Sequence, residues 1–247
     1  MTAVILAAGY ATRLYPLTLN TPKCLLTVGG RTLLDKLCDE LDGLKNLRQT
    51  VIVTNAKFFD QIEAWRKIRR LKKPLRILND QTLSNETRLG AIGDLDFVLK
   101  NAGVSDDVLM LASDNWFDGD LNVFVRFCQS QKNRACVGLY DLKDPNLAAG
   151  KFGVVQTAPD GRVTGLEEKP AAPKSAVIGM GIYYFPKESL GRVREYLKDT
   201  QAKDAPGHYI RWLLDREPIF GFLFSGVWYD IGDLSALKEA DDRLKAK

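Results

Sequence analysis

Two kinds of apolar pattern divide this chain. In the first half, Val4 to Leu6, Val51 to Val53, Leu75 to Leu78 and Val108 to Ala112 are short, almost wholly apolar runs. They lack the polar alternation of a half-buried strand, so they predict strands covered on both faces. Between them, Leu33, Leu34, Leu37 and Leu41, then Phe59, Ile62, Trp65 and Ile68, recur at helical spacing. Such alternation predicts right-handed βαβ units around a parallel sheet. Ligands of such sheets bind beyond the carboxyl ends of the strands, where strand order reverses.

After about residue 134 the pattern shortens. Ala135 to Tyr140, Phe152 to Gln156, Val163 to Leu166, Val177 to Phe185 and Pro218 to Tyr229 read as strand material, with a turn at Asp160-Gly161. Helices are expected near Lys187 to Leu197 and from Leu234 to Leu244, the last with Asp233 as its N-cap. The whole predicts one domain over 1–247, with halves 1–133 and 134–247. Its class is α/β, a Rossmann-like three-layer α/β/α with a mostly parallel mixed sheet.

Composition narrows the function classes. Of 247 residues, 45% are hydrophobic and 27% charged, ordinary for a globular protein with a substantial core. No apolar run reaches the ~18 residues of a membrane helix, and the N-terminus lacks a basic leader region, so a cytoplasmic protein without a membrane partner is expected. Cys24, Cys38, Cys128 and Cys136 show no metal-ligand spacing, and with His208 as the single histidine no zinc site is expected. The net charge of +4 is concentrated between Arg66 and Arg76, which holds seven cations and no acid. No aromatic residue interleaves that run, so the solvated end of a helix is a stronger reading than a nucleic-acid surface.

Candidate chemistry begins where the first strand ends. Leu6-Ala7-Ala8-Gly9-Tyr10-Ala11-Thr12-Arg13, followed by Thr21-Pro22-Lys23, brings small-residue backbone and two cations together. Small side chains let N–H groups approach an anion, and the cations attract it, which is the chemistry of holding a polyphosphate. Neither a Walker loop nor a dinucleotide fingerprint is present.

Asp114 ends an otherwise apolar strand and admits three readings: a helix cap, a buried partner for a cation, or a Mg²⁺ ligand. Asp230, in Val227-Trp228-Tyr229-Asp230-Ile231-Gly232, ends a second apolar run in the same way. Glu167-Glu168-Lys169-Pro170, Gly179-Met180-Gly181-Ile182-Tyr183 and Thr87 to Leu95 complete the set. His208, after Pro206-Gly207, reads as a surface or capping residue at a helix start.

Taken in order, these segments resemble the sugar-1-phosphate nucleotidyltransferases, whose elements read L-A-A-G-x-G-T-R…P-K, L-G-T-A-G-A-L, G-D-N, E-K-P and W-x-D-x-G. The match runs from residue 5 to 232, and it looks closest to short enzymes of the glucose-1-phosphate thymidylyltransferase type, without a trailing left-handed β-helix. The resemblance implies the nucleotide-diphospho-sugar transferase fold and the reaction NTP + sugar 1-phosphate → NDP-sugar + pyrophosphate.

Carried over residue by residue, Leu6, Ala7, Ala8, Gly9, Ala11 and Thr12 would hold the nucleotide. Arg13 would act on the leaving pyrophosphate and Lys23 on the α-phosphate. Asp114 and Asp230 would hold Mg²⁺, and Lys169 would seat the sugar phosphate. Glu168 would take sugar hydroxyls, Gly181 would let the sugar lie close to backbone, and Gly153 would belong to the same sugar-phosphate site. Gly90 would wall the base and ribose. Asn85, five residues earlier, stands where relatives that use uridine or thymidine nucleotides often carry glutamine, so dTTP or UTP is the expected nucleotide.

Three departures matter. Ala11 replaces a glycine and is tolerable only at negative φ; Ser113 replaces the glycine of G-D-N; Asn85 is shorter than glutamine. A cytidylyl- or guanylyltransferase, or a catalytically silent paralogue, remains the alternative. Homo-oligomerisation is left open.

Overall fold

The computed structural model describes residues 1–69 and 71–246; Arg70, within the basic run, and Lys247 lie outside the described residues. In chain order the strands are β1 (Thr2–Ala7), β2 (Thr27–Val28), β3 (Arg31–Thr32), β4 (Gln49–Thr54), β5 (Leu75–Asn79), β6 (Val108–Ala112) and β7 (Asn115–Phe117). They continue as β8 (Ala135–Asp141), β9 (Gly153–Thr157), β10 (Val163–Glu168), β11 (Val177–Phe185), β12 (Ile219–Leu223) and β13 (Trp228–Asp230). The helices are α1 (Leu33–Asp42), α2 (Phe59–Ile68), α3 (Ala91–Asn101), α4 (Leu121–Ser130), α5 (Gly191–Asp199), α6 (Pro206–Leu214) and α7 (Leu234–Lys245).

Nine strands form one sheet in the order β10-β9-β11-β6-β1-β4-β5, with β8 joining β11 to β12. The apolar runs of the first half are its parallel part: β1 pairs in parallel with β4 and β6, and β4 with β5. Both faces are covered. Leu37 and Leu41 of α1, Ile62 of α2 and Phe124 of α4 pack with Ile5 and Ile52 on one side. Leu95 and Val98 of α3, Val193 of α5 and Tyr209 and Leu213 of α6 pack with Val4, Val51 and Val53 on the other. Burial of each such side chain contributes about 1.5–3 kcal/mol, which is why these segments show no polar face. Caps mark the helix starts: Thr32 Oγ1 accepts from Asp35 N at 3.0 Å, Asp120 Oδ1 from Asn122 N at 2.7 Å, and Asp233 Oδ1 from Ala236 N at 2.9 Å.

The chain runs outward from β1 to β4 and β5, then returns to the other side of β1 as β6. Strand order therefore reverses between β1 and β6, and Gly9 and Asp114 follow those two strands. The second half adds antiparallel strands. Long β11 lies beside β9 at Ile178 and beside β6 from Ile182 to Phe185. Its partner changes around Gly181, at φ +75°, where the register with β8 also shifts.

Two boundaries differ from the sequence pattern. The Pro218 to Tyr229 run is two strands: β12 extends the main sheet beside β8, whereas β13 pairs with β7 in a separate ribbon. Gly226, at φ +96°, turns the chain between them, a change of direction that hydrophobicity does not encode. The expected helix near Lys187 is a short 3-10 turn, Lys187–Ser189, followed by α5. No helix among the described residues is long and apolar enough to cross a membrane. Within the basic run, Arg66 pairs with Glu63, and Arg69 with Asp35 and Asp39.

Candidate active site

Two cavities open over the reversal point, and Asp114 lines both. The larger, about 360 Å³, is lined by Leu6, Ala7, Ala8, Gly9, Ala11, Arg13 and Lys23 from the first loop. Backbone is accessible there: a Cβ added at Gly9 would meet nothing within 4 Å. Ala11 corrects an expectation. Its φ is +48°, in the left-handed region, not the negative φ that would have made alanine easy. The conformation costs a non-glycine residue about 1–2 kcal/mol; Thr18 Oγ1 donates to the Ala11 carbonyl at 2.8 Å and fixes that turn. Thr12 is exposed and stands outside the cavity lining. Cys24 is 1% exposed and burial raises its thiol pKa to about 12, so its neighbour Lys23 does not make it reactive.

The carboxylates are positioned by the β7–β13 ribbon. Asp230 pairs in register with Asn115, and Ile231 N donates to the Asp114 carbonyl at 3.0 Å. Both Asp114 oxygens are held: Lys23 Nζ donates to Oδ2 at 2.7 Å, and Asn115 Nδ2 to Oδ1 at 3.2 Å. Asn115 is oriented in turn by Trp228, whose indole Nε1, a donor only, reaches Asn115 Oδ1 at 2.9 Å. Burial and the Asp114 charge raise the Asp230 pKa to about 6, against the lowering effect of Lys23 and Arg13. Two carboxylates that resist joint ionisation beside two cations form a site that gains from further positive charge.

The smaller cavity, about 160 Å³, is lined by Lys151, Gly153, Glu168, Tyr183, Gly207, Trp228 and Asp230, among others. Burial raises the Glu168 pKa, with Lys169 and His208 opposing. Glu168 lies against the start of α6, where a Cβ on Gly207 would fall 1.9 Å from Glu168 Oε2. Gly181 lines this cavity, but the space its Cβ would fill belongs to Asn115 Nδ2, 2.7 Å away. The glycine there makes room for packing against Asn115. Lys169 is exposed, at φ +48°, and stands outside both linings. The lysine that lines the smaller cavity is Lys151, which sequence reasoning missed although it directly precedes Phe152-Gly153. His208 is exposed on α6, as the sequence suggested.

The α3 side of the larger cavity is formed by Arg88, Gly90, Ala91, Asp94, Asp204 and Pro206. Gly90, at φ +78°, is closed over by residues 203–204: a Cβ there would lie 2.7 Å from Asp204 Oδ1 and 2.9 Å from the Lys203 carbonyl. Asn85 is not part of the lining; its carbonyl accepts from Arg88 Nη1. Arg88, Asp94 and Asp204 were not singled out from sequence, because their roles depend on Asp204 being folded back from the second half.

The fold and these cavities define an α/β protein with its candidate site over the point where strand order reverses. The Nucleotidyl transferase family model matches residues 2–247, and the chain belongs to that family. Among its relatives, a candidate mannose-1-phosphate guanyltransferase of Sulfolobus acidocaldarius is 30% identical over 241 residues, covering 94% of this chain and 60% of the relative. The bifunctional protein GlmU of Methanocaldococcus jannaschii is 27% identical, over 100% of this chain and 55% of the relative. A glucose-1-phosphate thymidylyltransferase of Streptomyces antibioticus is 28% identical, over 98% and 65%. The chain thus spans little more than half the length of several curated relatives. The solved structure of a candidate glucose-1-phosphate thymidylyltransferase from Bacillus anthracis superposes with a TM-score of 0.82 over 100% of this chain and 96% of its own, at 23% identity, and shows the same fold.

Proposed function

We propose that this chain transfers a nucleoside monophosphate from an NTP to a sugar 1-phosphate, releasing pyrophosphate. The observation that carries the reading is the carboxylate junction. Asp114 borders both a cavity with open loop backbone and two cations and a second cavity with a lysine, a buried tyrosine and a carboxylate. Two substrates that must react fit two cavities that meet at one charged point.

A phosphate monoester has its second pKa near ~6 and is largely dianionic at neutral pH, so it needs no base to become nucleophilic. Its oxygen attacks the α-phosphorus in line, a new P–O bond forms, and the α–β bridging bond breaks with its electron pair leaving on pyrophosphate. Both reactants are polyanions, so positioning and charge neutralisation supply most of the catalysis. Lys23 and Arg13 face the triphosphate. Lys151 lines the sugar-phosphate side, Lys169 stands beyond it, and Glu168 offers an acceptor to sugar hydroxyls.

The paired Asp114 and Asp230 fit a magnesium ion, a hard cation that takes one or two carboxylates together with phosphate oxygens. Bound there, the ion would neutralise phosphate charge. A coupled pyrophosphate-release assay over a panel of NTPs and sugar 1-phosphates tests the reading. Release that requires both substrates is expected; no release across the panel, or release indifferent to the sugar phosphate, would overturn it.

A further inference from the structure

Two buried acids on the α3 side of the larger cavity have no part in phosphate chemistry. Asp80, just after β5, and Asp94, in the first turn of α3, are each 6% exposed. Asp80 Oδ1 accepts from Thr82 N at 2.7 Å and Thr82 Oγ1 at 2.8 Å. Asp80 Oδ2 and Asp94 Oδ1 are buried without a hydrogen-bond partner among the described residues. Burial first, then the charge of Asp80, raise the Asp94 pKa to about 8. Asp94 also lines the larger cavity.

An acceptor in that position is out of place for a polyanion. Lys23, Arg13, Asp114 and Asp230 act on one another, whereas Asp94 senses Asp80 and Asp204 instead. The cavity thus has an end suited to phosphates and another that offers acceptors to an uncharged, donor-bearing group. Arg88 lines the acceptor end as well, held in a two-point contact by Asp204.

An imide pyrimidine presents one N–H between two carbonyl oxygens, and those oxygens would meet the carboxyl lone pairs. Guanine presents N1–H and the 2-amino group side by side, and O6 and N7 on its next edge, the pair that arginine reads. We infer that Asp94, backed by Asp80, reads the N–H donors of guanine, so that GTP is the nucleotide this cavity takes. The inference rests on the reading of this cavity as the NTP site, and it displaces the pyrimidine expectation attached to Asn85.

The test is equilibrium binding of GTP, ITP, UTP, dTTP, CTP and ATP to the full chain by calorimetry, with the same panel run in the pyrophosphate assay. GTP is expected to bind about tenfold or more tighter than UTP or dTTP, and ITP, which lacks the 2-amino group, about tenfold weaker than GTP. Asp94→Ala should weaken GTP by roughly 10–100-fold while the other nucleotides move less than about threefold. Asp94→Asn is isosteric, can donate to Asp80 and still present an oxygen, and should give an intermediate GTP preference. A panel led by any other nucleotide, equal binding of GTP and ITP, or a ranking unmoved in both variants would overturn the assignment, the last by making the acid pair purely structural. GTP-led binding with no transfer to any sugar phosphate would instead defeat the proposed reaction and leave the base assignment standing. Transfer led by UTP or dTTP would do the reverse.

Discussion

The two cavities that meet at Asp114 are built on different principles. The larger one takes one wall from a single stretch of chain: β1 ends, the chain turns through Gly9 and Ala11, and Arg13 and Lys23 follow within the same loop region. Its smaller neighbour takes Lys151 from just before β9, Gly153 from its start, Glu168 from the end of β10, Gly181 and Tyr183 from β11, Gly207 from α6 and Asp230 from β13. The loop end of the first offers open backbone and fixed charge, and its α3 end adds side chains of Arg88, Asp94 and Asp204. The second works through side chains whose positions depend on several packed elements. A local change in the first should therefore cost turnover. In the second, a change well away from any phosphate should cost affinity for one substrate only.

The largest effect is expected at the junction itself. Asp114→Asn keeps shape and removes a charge, and should lower turnover by about 10²–10³-fold, the scale of removing one preorganised electrostatic group. Pyrophosphate release at saturating Mg²⁺ measures it; retention of more than about a tenth of the activity, ~1.4 kcal/mol, would show that the carboxylate is structural.

Next come Lys23→Ala and Arg13→Ala, each expected to reduce kcat by about 10–100-fold because they act on charge that shifts as the α–β bond breaks. Steady-state kinetics separate this from uniform binding, in which only KM would rise.

Gly207→Ala tests the other cavity. The new Cβ would lie 1.9 Å from Glu168 Oε2, so Glu168 must move. KM for the sugar phosphate should rise about tenfold with KM for the nucleotide unchanged. Equal changes in both constants would mean that the two cavities are not separable.

Asp94→Asn sharpens the comparison through stability. In the unfolded chain this carboxyl titrates near 3.8, and in the folded protein at about 8. Between those values the folded state keeps a proton that the unfolded chain has released, so rising pH drains stability across that window. The amide removes this dependence. Thermal melts should show equal Tm for variant and wild type near pH 4, and a variant advantage that grows toward pH 8. A constant offset would contradict the raised pKa.

Ala11→Gly carries the smallest effect. Relief of the left-handed strain at φ +48° is offset by the greater freedom that glycine has in the unfolded chain, for a net change within about 1 kcal/mol. Chemical denaturation measures it, and a loss of several kcal/mol would mean that the Ala11 methyl packs in a way its φ does not reveal.

Legibility from sequence followed the same division. The buried strands of the first half, the loop after β1, Asp114 at the end of β6 and the Asp233 cap could be read because each is a contiguous pattern. The break between β12 and β13 could not, because an apolar run does not record that its halves join different sheets. Nor could the φ of Ala11, whose carbonyl accepts from Thr18 Oγ1 in the folded turn. Lys169 was chosen from a motif, and the fold left it outside the lining while bringing Lys151 in.

The sequence by itself determined the parallel core and the small-residue loop after β1 with its two cations, since hydrophobic period and small-residue backbone act over a few neighbouring residues. Only the tertiary structure decided that Asp230 lies beside Asp114, that Gly207 makes room for Glu168, that Gly181 makes room for Asn115, and that Asp80 stands behind Asp94. Each of these is a contact between segments far apart in the chain. Its energy comes from burial and charge in three dimensions, which a one-dimensional pattern does not carry.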